Sequence, residues 1–153
     1  MKRILLLLGF VALTVSCDKE WVEKFWQVRL DGTYSMADHR KVIEGPEPGL
    51  GVLCASFTIE TGEDGEQRYA VMTGCWNSVG KVIGLNIKFD PVTVTKDDGT
   101  ELHYTFGIFE GHRDLYMITG TYEVEGRVPD MFGKLVDYKA KGEFDARKII
   151  SGN

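Results

Sequence analysis

Alternation of apolar and polar residues, interrupted by short turn sequences, limits most strongly how this chain can fold. Leu102, Tyr104 and Phe106 alternate with polar residues, and similar runs recur from about residue 26 to residue 149. A period of two places successive side chains on opposite faces of a strand. Turn sequences such as Asp98-Gly99 separate the runs at short, regular intervals. We therefore predict an all-β domain of about eight strands, folded as a single antiparallel up-and-down barrel, with a β-sandwich as the alternative.

A unit of glycine, any residue and an aromatic residue favours the barrel over the sandwich. Glycine lets a strand bend sharply, and an aromatic side chain two residues away lies on the same face and can fill the space beside it. Several such bends suit a small closed barrel. The unit occurs at residues 32–34, 74–76 and 120–122, with a looser copy at 142–144.

On these residues the chain resembles the lipocalin and avidin group of up-and-down barrels. Those families carry a Gly-x-aromatic signature on the first strand, and residues 30–34 match it, with Tyr34 where lipocalins have Trp. In lipocalins a long first loop closes over the open end of the barrel, and residues 35–50 are expected to form that loop here. The resemblance implies a barrel that binds a small, mostly apolar ligand in its interior and performs no catalysis.

Inward-facing aromatic residues are the expected ligand-binding residues. Eight-stranded barrels use such side chains either to line a ligand cavity or to fill a core, and the sequence leaves both open. If the barrel is filled, the alternative function is a protein-interaction or inhibitor lipoprotein whose loops bind an envelope protein. The expected ligand-binding residues are Tyr34, Phe57, Trp76, Tyr104, Phe106 and Tyr122.

The N-terminal segment has the pattern of an export signal. Lys2 and Arg3 precede an apolar run at residues 4–15, and Ser16-Cys17 follows. As a helix this run is about 18 Å long, too short for a hydrocarbon core of about 30 Å. It resembles the signal peptide of a bacterial lipoprotein, which is cut before a cysteine that receives lipid, here Cys17. An ordinary secretory signal or a buried N-terminal helix are the alternatives.

This resemblance predicts how the chain is divided and where the protein works. Residues 1–16 would be the signal peptide, residues 17–24 the lipidated cysteine and a short tether, and residues 25–150 the barrel domain. The protein would be anchored in the outer membrane of a Gram-negative bacterium, facing either the periplasm or the cell surface. It would contact the membrane through the lipid on Cys17 only.

The other two cysteines, Cys54 and Cys75, form an even pair in a compartment that would be oxidising. If the Asp-Gly sequence at 64–65 is a hairpin turn, Cys54 lies opposite Cys75. In the same register, Phe57 lies opposite Met72. The cysteines would occupy a non-hydrogen-bonded pair, where Cα atoms are about 4.5 Å apart. We predict a cross-strand disulfide on the outer face, with two free thiols as the alternative.

Charge and motifs argue against several function classes. With 18 basic and 23 acidic residues the chain has a net charge of −5, which disfavours nucleic acid as a partner. The sequence has no Gly-x-Ser-x-Gly, His-Glu-x-x-His or phosphate-loop motif. His39, His103 and His112 do not lie at the spacing of metal ligands. We therefore predict a protein that is not an enzyme and holds no metal or cofactor.

A local basic cluster, His39-Arg40-Lys41, falls in the expected first loop. It could form an anion-attracting rim at the barrel mouth, or it could be an ordinary solvated loop. The solvated loop is the favoured interpretation.

Overall fold

The computed structural model describes residues 30–47, 55–65, 67–112 and 116–150. Ten β-strand segments lie within these ranges, and every neighbouring pair is antiparallel. The segments are β1 Gly32–Glu44, β2 Ser56–Asp64, β3 Gln67–Gly74, β4 Ser78–Ile83, β5 Asn86–Phe89, β6 Val92–Thr95, β7 Glu101–Phe106, β8 Ile108–Gly111, β9 Met117–Pro129 and β10 Leu135–Lys148.

The segments form a closed barrel of eight strands, because two pairs of segments each continue one bent strand. Only Asp90 and Pro91 separate β5 from β6, and only Gly107 separates β7 from β8. Pairing follows chain order around the barrel, and β10 pairs with both β9 and β1, which closes it. The predicted antiparallel up-and-down barrel is confirmed, and the sandwich alternative is wrong.

Alternate side chains of each strand point inward and form one core. Its centre is aromatic, and the rings contact each other edge to face, with Phe109 and Phe144 centroids 4.8 Å apart and those of Trp76 and Phe106 5.3 Å apart. Such pairs contribute about 0.5–1.5 kcal/mol each beyond the burial of their area. The largest fully buried side chains are Trp76, Tyr34, Tyr122, Phe57, Phe89, Phe106, Phe109 and Phe144.

Glycines and aromatic rings match across strands rather than along one strand. Gly120 of β9 pairs with Phe144 of β10, and Gly142 of β10 pairs with Tyr122 of β9. A Cβ atom at Gly120 would lie 2.5 Å from Phe144 Cζ, so the ring occupies the space that a side chain would need. The copies of the unit at residues 120–122 and 142–144 therefore pack reciprocally, each glycine admitting the ring of the neighbouring strand, whereas a Cβ at Gly32 would meet the Lys148 side chain. The sequence led us to expect each ring to cover the glycine of its own strand, and for these pairs this is wrong, because the ring covers the glycine of the neighbouring strand.

The β2–β3 hairpin forms where predicted, but its register differs by two residues. Phe57 lies opposite Gly74, and the ladder ends at the pair Asp64 and Gln67, with Gly65 in the left-handed region at φ 61°. The loop therefore begins at Gly65 rather than at the preceding aspartate. A shift of two residues leaves every side chain on its predicted face, which is why the buried face was correct although the pairing was wrong.

This register removes the argument that placed Cys54 directly opposite Cys75. The β2–β3 ladder ends at Gly74, and Cys75 follows with its Sγ 3.1 Å from the carbonyl oxygen of Ser56. Cys54 lies outside the described residues. The disulfide therefore stays a prediction.

Strand β1 is longer than predicted. Residues 35–44, expected in the first loop, belong to the strand and pair with β10 along most of their length. The connection to β2 begins at Gly45, and residues 48–54 lie outside the described residues. Asp38 and Arg40 consequently point into the barrel rather than into solvent, which is the basis of the site described below.

The N-terminal predictions, including the signal peptide, Cys17 and the tether, concern residues outside the described ranges. Within those ranges, no helix is long and apolar enough to cross a membrane.

Candidate functional site

Three connections lie at the same end of the barrel, and we call this end the mouth. They are the start of the β1–β2 connection at Gly45, the turn at 96–100 and the turn at 130–134. A cavity of about 430 Å³ lies there. Val128, Pro129 and Met131 give it an apolar wall, and Tyr138 also lines it. The remaining lining residues, four of them charged, are Pro46, Glu47, Lys96, Asp98, Thr100 and Asp130.

Below the mouth, the interior contains a charged pair. Asp38 and Arg40 come from β1, and their side chains are only 3% and 2% exposed. Arg40 Nη2 lies 3.3 Å from Asp38 Oδ2, and Arg40 Nε donates to Tyr122 Oη at 2.7 Å. The Tyr122 hydroxyl donates in turn to the Asp38 carboxylate, whose two oxygens are 2.7 and 2.9 Å away. We call these three residues the polar triad.

A glycine makes the polar triad possible. Gly142 of β10 pairs with Arg40 on one side and with Tyr122 on the other. A side chain at this position would overlap the Tyr122 ring. Because none is present, the guanidinium and the phenol meet across β10.

Burial and mutual contacts set the charges of the triad. Burial lowers the pKa of Arg40, but its interactions with Tyr122, Tyr104 and Tyr138 together outweigh this, and the net pKa lies above its ordinary value. Burial also raises the pKa of Tyr122, and its hydrogen bond to Asp38 raises it further. Arg40 is therefore a cation and Tyr122 a neutral donor at any physiological pH. Asp38 accepts from both, as an ionised carboxylate does.

Two buried donors near the triad have no hydrogen-bond partner within the described part of the chain. They are Arg40 Nη1 and Tyr138 Oη. Leaving a buried polar group unsatisfied costs about 1–3 kcal/mol, so native proteins tolerate few such groups. Tyr138 lines the mouth cavity, and its hydroxyl lies near enough to Arg40 to add slightly to the raised pKa of the guanidinium, although no hydrogen bond joins the two side chains.

The six aromatic residues predicted to bind a ligand all lie in the core. Tyr34 donates from its hydroxyl to the Leu30 carbonyl oxygen at 2.7 Å, beside the stacked ring of Phe57. Tyr122 belongs to the triad, and Tyr104 lies close enough to Arg40 that the cation opposes the rise in pKa that burial gives this phenol. Neither the mouth cavity nor the outer cavity described next is lined by any of the six. Their role in binding stays a prediction.

A second cavity of about 430 Å³ lies on the outer face, across β1, β8, β9 and β10. Its walls carry His39, Glu110, Glu143 and Asp145. Among the described residues, no group of three or more His, Cys, Asp or Glu side chains is placed to hold a metal ion. His103 and His112 contact threonines instead, Thr93 and Thr119 respectively.

The sequence interpretation missed Arg40 as a buried residue. The cluster His39-Arg40-Lys41 was taken as a solvated loop, and this is wrong for Arg40, because the strand alternates and only its two neighbours face outward. A usable signal was present: Asp38, Arg40 and Val42 are spaced by two, in phase with Tyr34.

Comparison with known proteins found no matching protein family, no matching curated protein and no matching solved structure. The closed antiparallel barrel is compatible with a calycin-like fold.

Proposed function

We propose that this protein is a lipid-anchored envelope protein whose barrel binds a small, mostly apolar ligand at its mouth, without catalysis. The observation that carries the proposal is the mouth cavity of about 430 Å³ with its apolar wall. Pockets for small molecules typically measure about 300–1,000 Å³ and combine an apolar lining with a few polar groups. The polar groups that line this cavity are Thr100, Tyr138 and the four charged residues given above.

The packing of the core favours the mouth over the barrel centre as the ligand position. Trp76 contacts four other aromatic rings with centroids 5.3–6.4 Å apart, so the centre of the barrel is occupied by side chains. A ligand at the mouth requires no rearrangement of these rings. This differs from the deep interior site that the lipocalin resemblance implies.

Binding of Nile red, an uncharged apolar dye, to the purified full-length protein tests the proposal. Met131→Asp places a charge in the apolar wall, and because Met131 is 88% exposed the fold should tolerate it. We expect a loss of dye affinity of about tenfold, the equivalent of about 1.4 kcal/mol. Ile83→Asp is the control, since Ile83 is 67% exposed on β4 and does not line the cavity. Equal dye affinity in both variants contradicts binding at the mouth.

A second function, binding of an envelope protein through a loop, is favoured by the tip of the β9–β10 turn. Met131 and Phe132 are adjacent there, and 88% and 86% exposed. Apolar side chains this exposed at a loop tip suit insertion into a pocket of a partner protein. Phe132→Ala separates the two functions, because Phe132 does not line the cavity. Loss of partner cross-linking in the host envelope with unchanged dye binding would favour the second function.

The anchor and the disulfide are part of the proposal and are supported by the sequence pattern. Lipidation at Cys17 would hold the protein in the outer membrane of a Gram-negative bacterium, and the envelope is a compartment in which a Cys54–Cys75 bridge would form. A Cys17→Ala variant that still partitions with membranes would contradict the proposed lipid anchor. Equal thiol counts after denaturation with and without reductant would contradict the proposed disulfide.

A further inference from the structure

We infer that the polar end of the ligand is an uncharged hydrogen-bond acceptor, such as an ester, amide or ketone carbonyl, received by Arg40 and Tyr138. The inference rests on the proposed function, since it assigns the chemistry of the ligand held at the mouth. Arg40 Nη1 and Tyr138 Oη are both buried and both lack a partner among the described residues. An arginine nitrogen can only donate. The complementary ligand group must therefore accept.

The charge balance selects an uncharged acceptor over a carboxylate. Arg40 is already paired with Asp38, so the triad has no net charge to offer a buried anion. A second carboxylate would leave one negative charge uncompensated in a site that is almost completely desolvated, which is strongly unfavourable. The charges at the mouth also disfavour a carboxylate, because the cavity is lined by three acidic residues, Glu47, Asp98 and Asp130, and by one basic residue, Lys96.

Tyr138 connects the cavity to the donors. Its side chain lines the cavity, it is 2% exposed, and its hydroxyl raises the pKa of Arg40. Tyr138 Oη and Arg40 Nη1 are both closed off from the cavity, so the acceptor group of the ligand reaches them only when the Tyr138 side chain turns aside. The apolar remainder of the ligand then lies against the wall formed by Val128, Pro129 and Met131.

Three probes of equal chain length test the inference by displacement of Nile red from the full-length protein: methyl dodecanoate, dodecanoate and dodecane. A hydrogen bond to a charged donor is stronger than one between neutral groups, so we expect the ester to bind at least about tenfold more tightly than the alkane. We also expect it to bind more tightly than the carboxylate. Equal affinities for all three, or tightest binding of dodecanoate, overturn the inference while leaving the proposed function standing. Failure of dye and all three probes to bind overturns both.

Two variants show whether the preference comes from this site. Tyr138→Phe removes an unpaired hydroxyl and should preserve the fold. We expect this variant to bind methyl dodecanoate less tightly than the unmodified protein does, with no change in its affinity for dodecane. Tyr116→Phe is the control, since Tyr116 is 55% exposed and does not line the cavity. Asp38→Asn leaves the Arg40 charge unbalanced, so we expect the preference to shift toward dodecanoate. An unchanged preference in both Tyr138→Phe and Asp38→Asn overturns the inference.

Discussion

Replacing Tyr122 by Phe should destabilise the barrel far more than the loss of one hydroxyl group normally does. The hydroxyl accepts from Arg40 Nε at 2.7 Å and donates to Asp38 at 2.7 Å, and both partners are charged and buried. A hydrogen bond to a charged group contributes about 1.5–3 kcal/mol, so the loss of both should lower the free energy of unfolding by about 3–5 kcal/mol. Urea denaturation monitored by tryptophan fluorescence measures it.

Two other tyrosines provide matched controls, since they are also buried and undergo the same substitution. Tyr34→Phe removes one hydrogen bond to a neutral acceptor, the Leu30 carbonyl oxygen, and should cost about 1 kcal/mol. Tyr138→Phe removes an unpaired hydroxyl and should be neutral or stabilising. The expected order of destabilisation is therefore Tyr122, Tyr34, Tyr138. If Tyr122→Phe costs no more than Tyr34→Phe, the polar triad contributes no more than a single neutral hydrogen bond, and the reasoning fails.

Two further predictions concern alkaline pH and strand packing. Burial raises the pKa of Tyr104 and of Tyr122 above the ordinary value of 10.0, so both phenols ionise less readily in the folded than in the unfolded protein. Their contribution to stability is complete below pH 10 and is lost as the pH rises from there to each raised pKa, by about 1.4 kcal/mol per pH unit for a phenol. Urea midpoints at pH 9 and 11 measure this loss, and a midpoint that does not fall refutes it. Gly120→Ala should lower the free energy of unfolding by about 1–3 kcal/mol, because the added Cβ would lie 2.5 Å from the Phe144 ring. Thermal unfolding measures this loss, with Thr121→Ala at the neighbouring exposed position as the control. Equal melting temperatures for the two variants contradict the prediction.

The sequence was sufficient to predict the barrel, because its strands mostly alternate apolar and polar residues in a regular way. Leu102, Tyr104 and Phe106 are 1%, 4% and 1% exposed, as the period of two requires. The eight-stranded antiparallel topology follows once short turns connect such strands in order. Closure was indicated by the glycine units, which do lie where rings and backbones approach closely.

The candidate site could not be predicted, because it breaks the rule on which the prediction depended. Asp38 and Arg40 are inward residues of β1, yet they are polar, so the second half of β1 looked like a loop. Each is acceptable inside only because it pairs with the other and with Tyr122 of β9, 82 residues after Arg40 along the chain. Local periodicity contains no information about such a distant partner.

The hairpin register shows a different limit. Moving the β2–β3 turn by one residue shifts every pair by two, and both registers place the same side chains on the buried face. Hydrophobic pattern therefore cannot choose between them. The choice made by the fold pairs Phe57 with Gly74, so that a ring again lies opposite a glycine.

Gly142 shows how a residue without a side chain can be part of a chemical site. Gly142 is the residue of β10 that pairs with Arg40 of β1 on one side and with Tyr122 of β9 on the other. The hydrogen bond between the Arg40 and Tyr122 side chains crosses β10 at this glycine. In a mutational scan its sensitivity would resemble that of the charged pair rather than that of an ordinary strand residue. A larger residue at 142 should be tolerated only together with a smaller one at 122, so the two positions should vary as a unit in any sequence that retains this barrel.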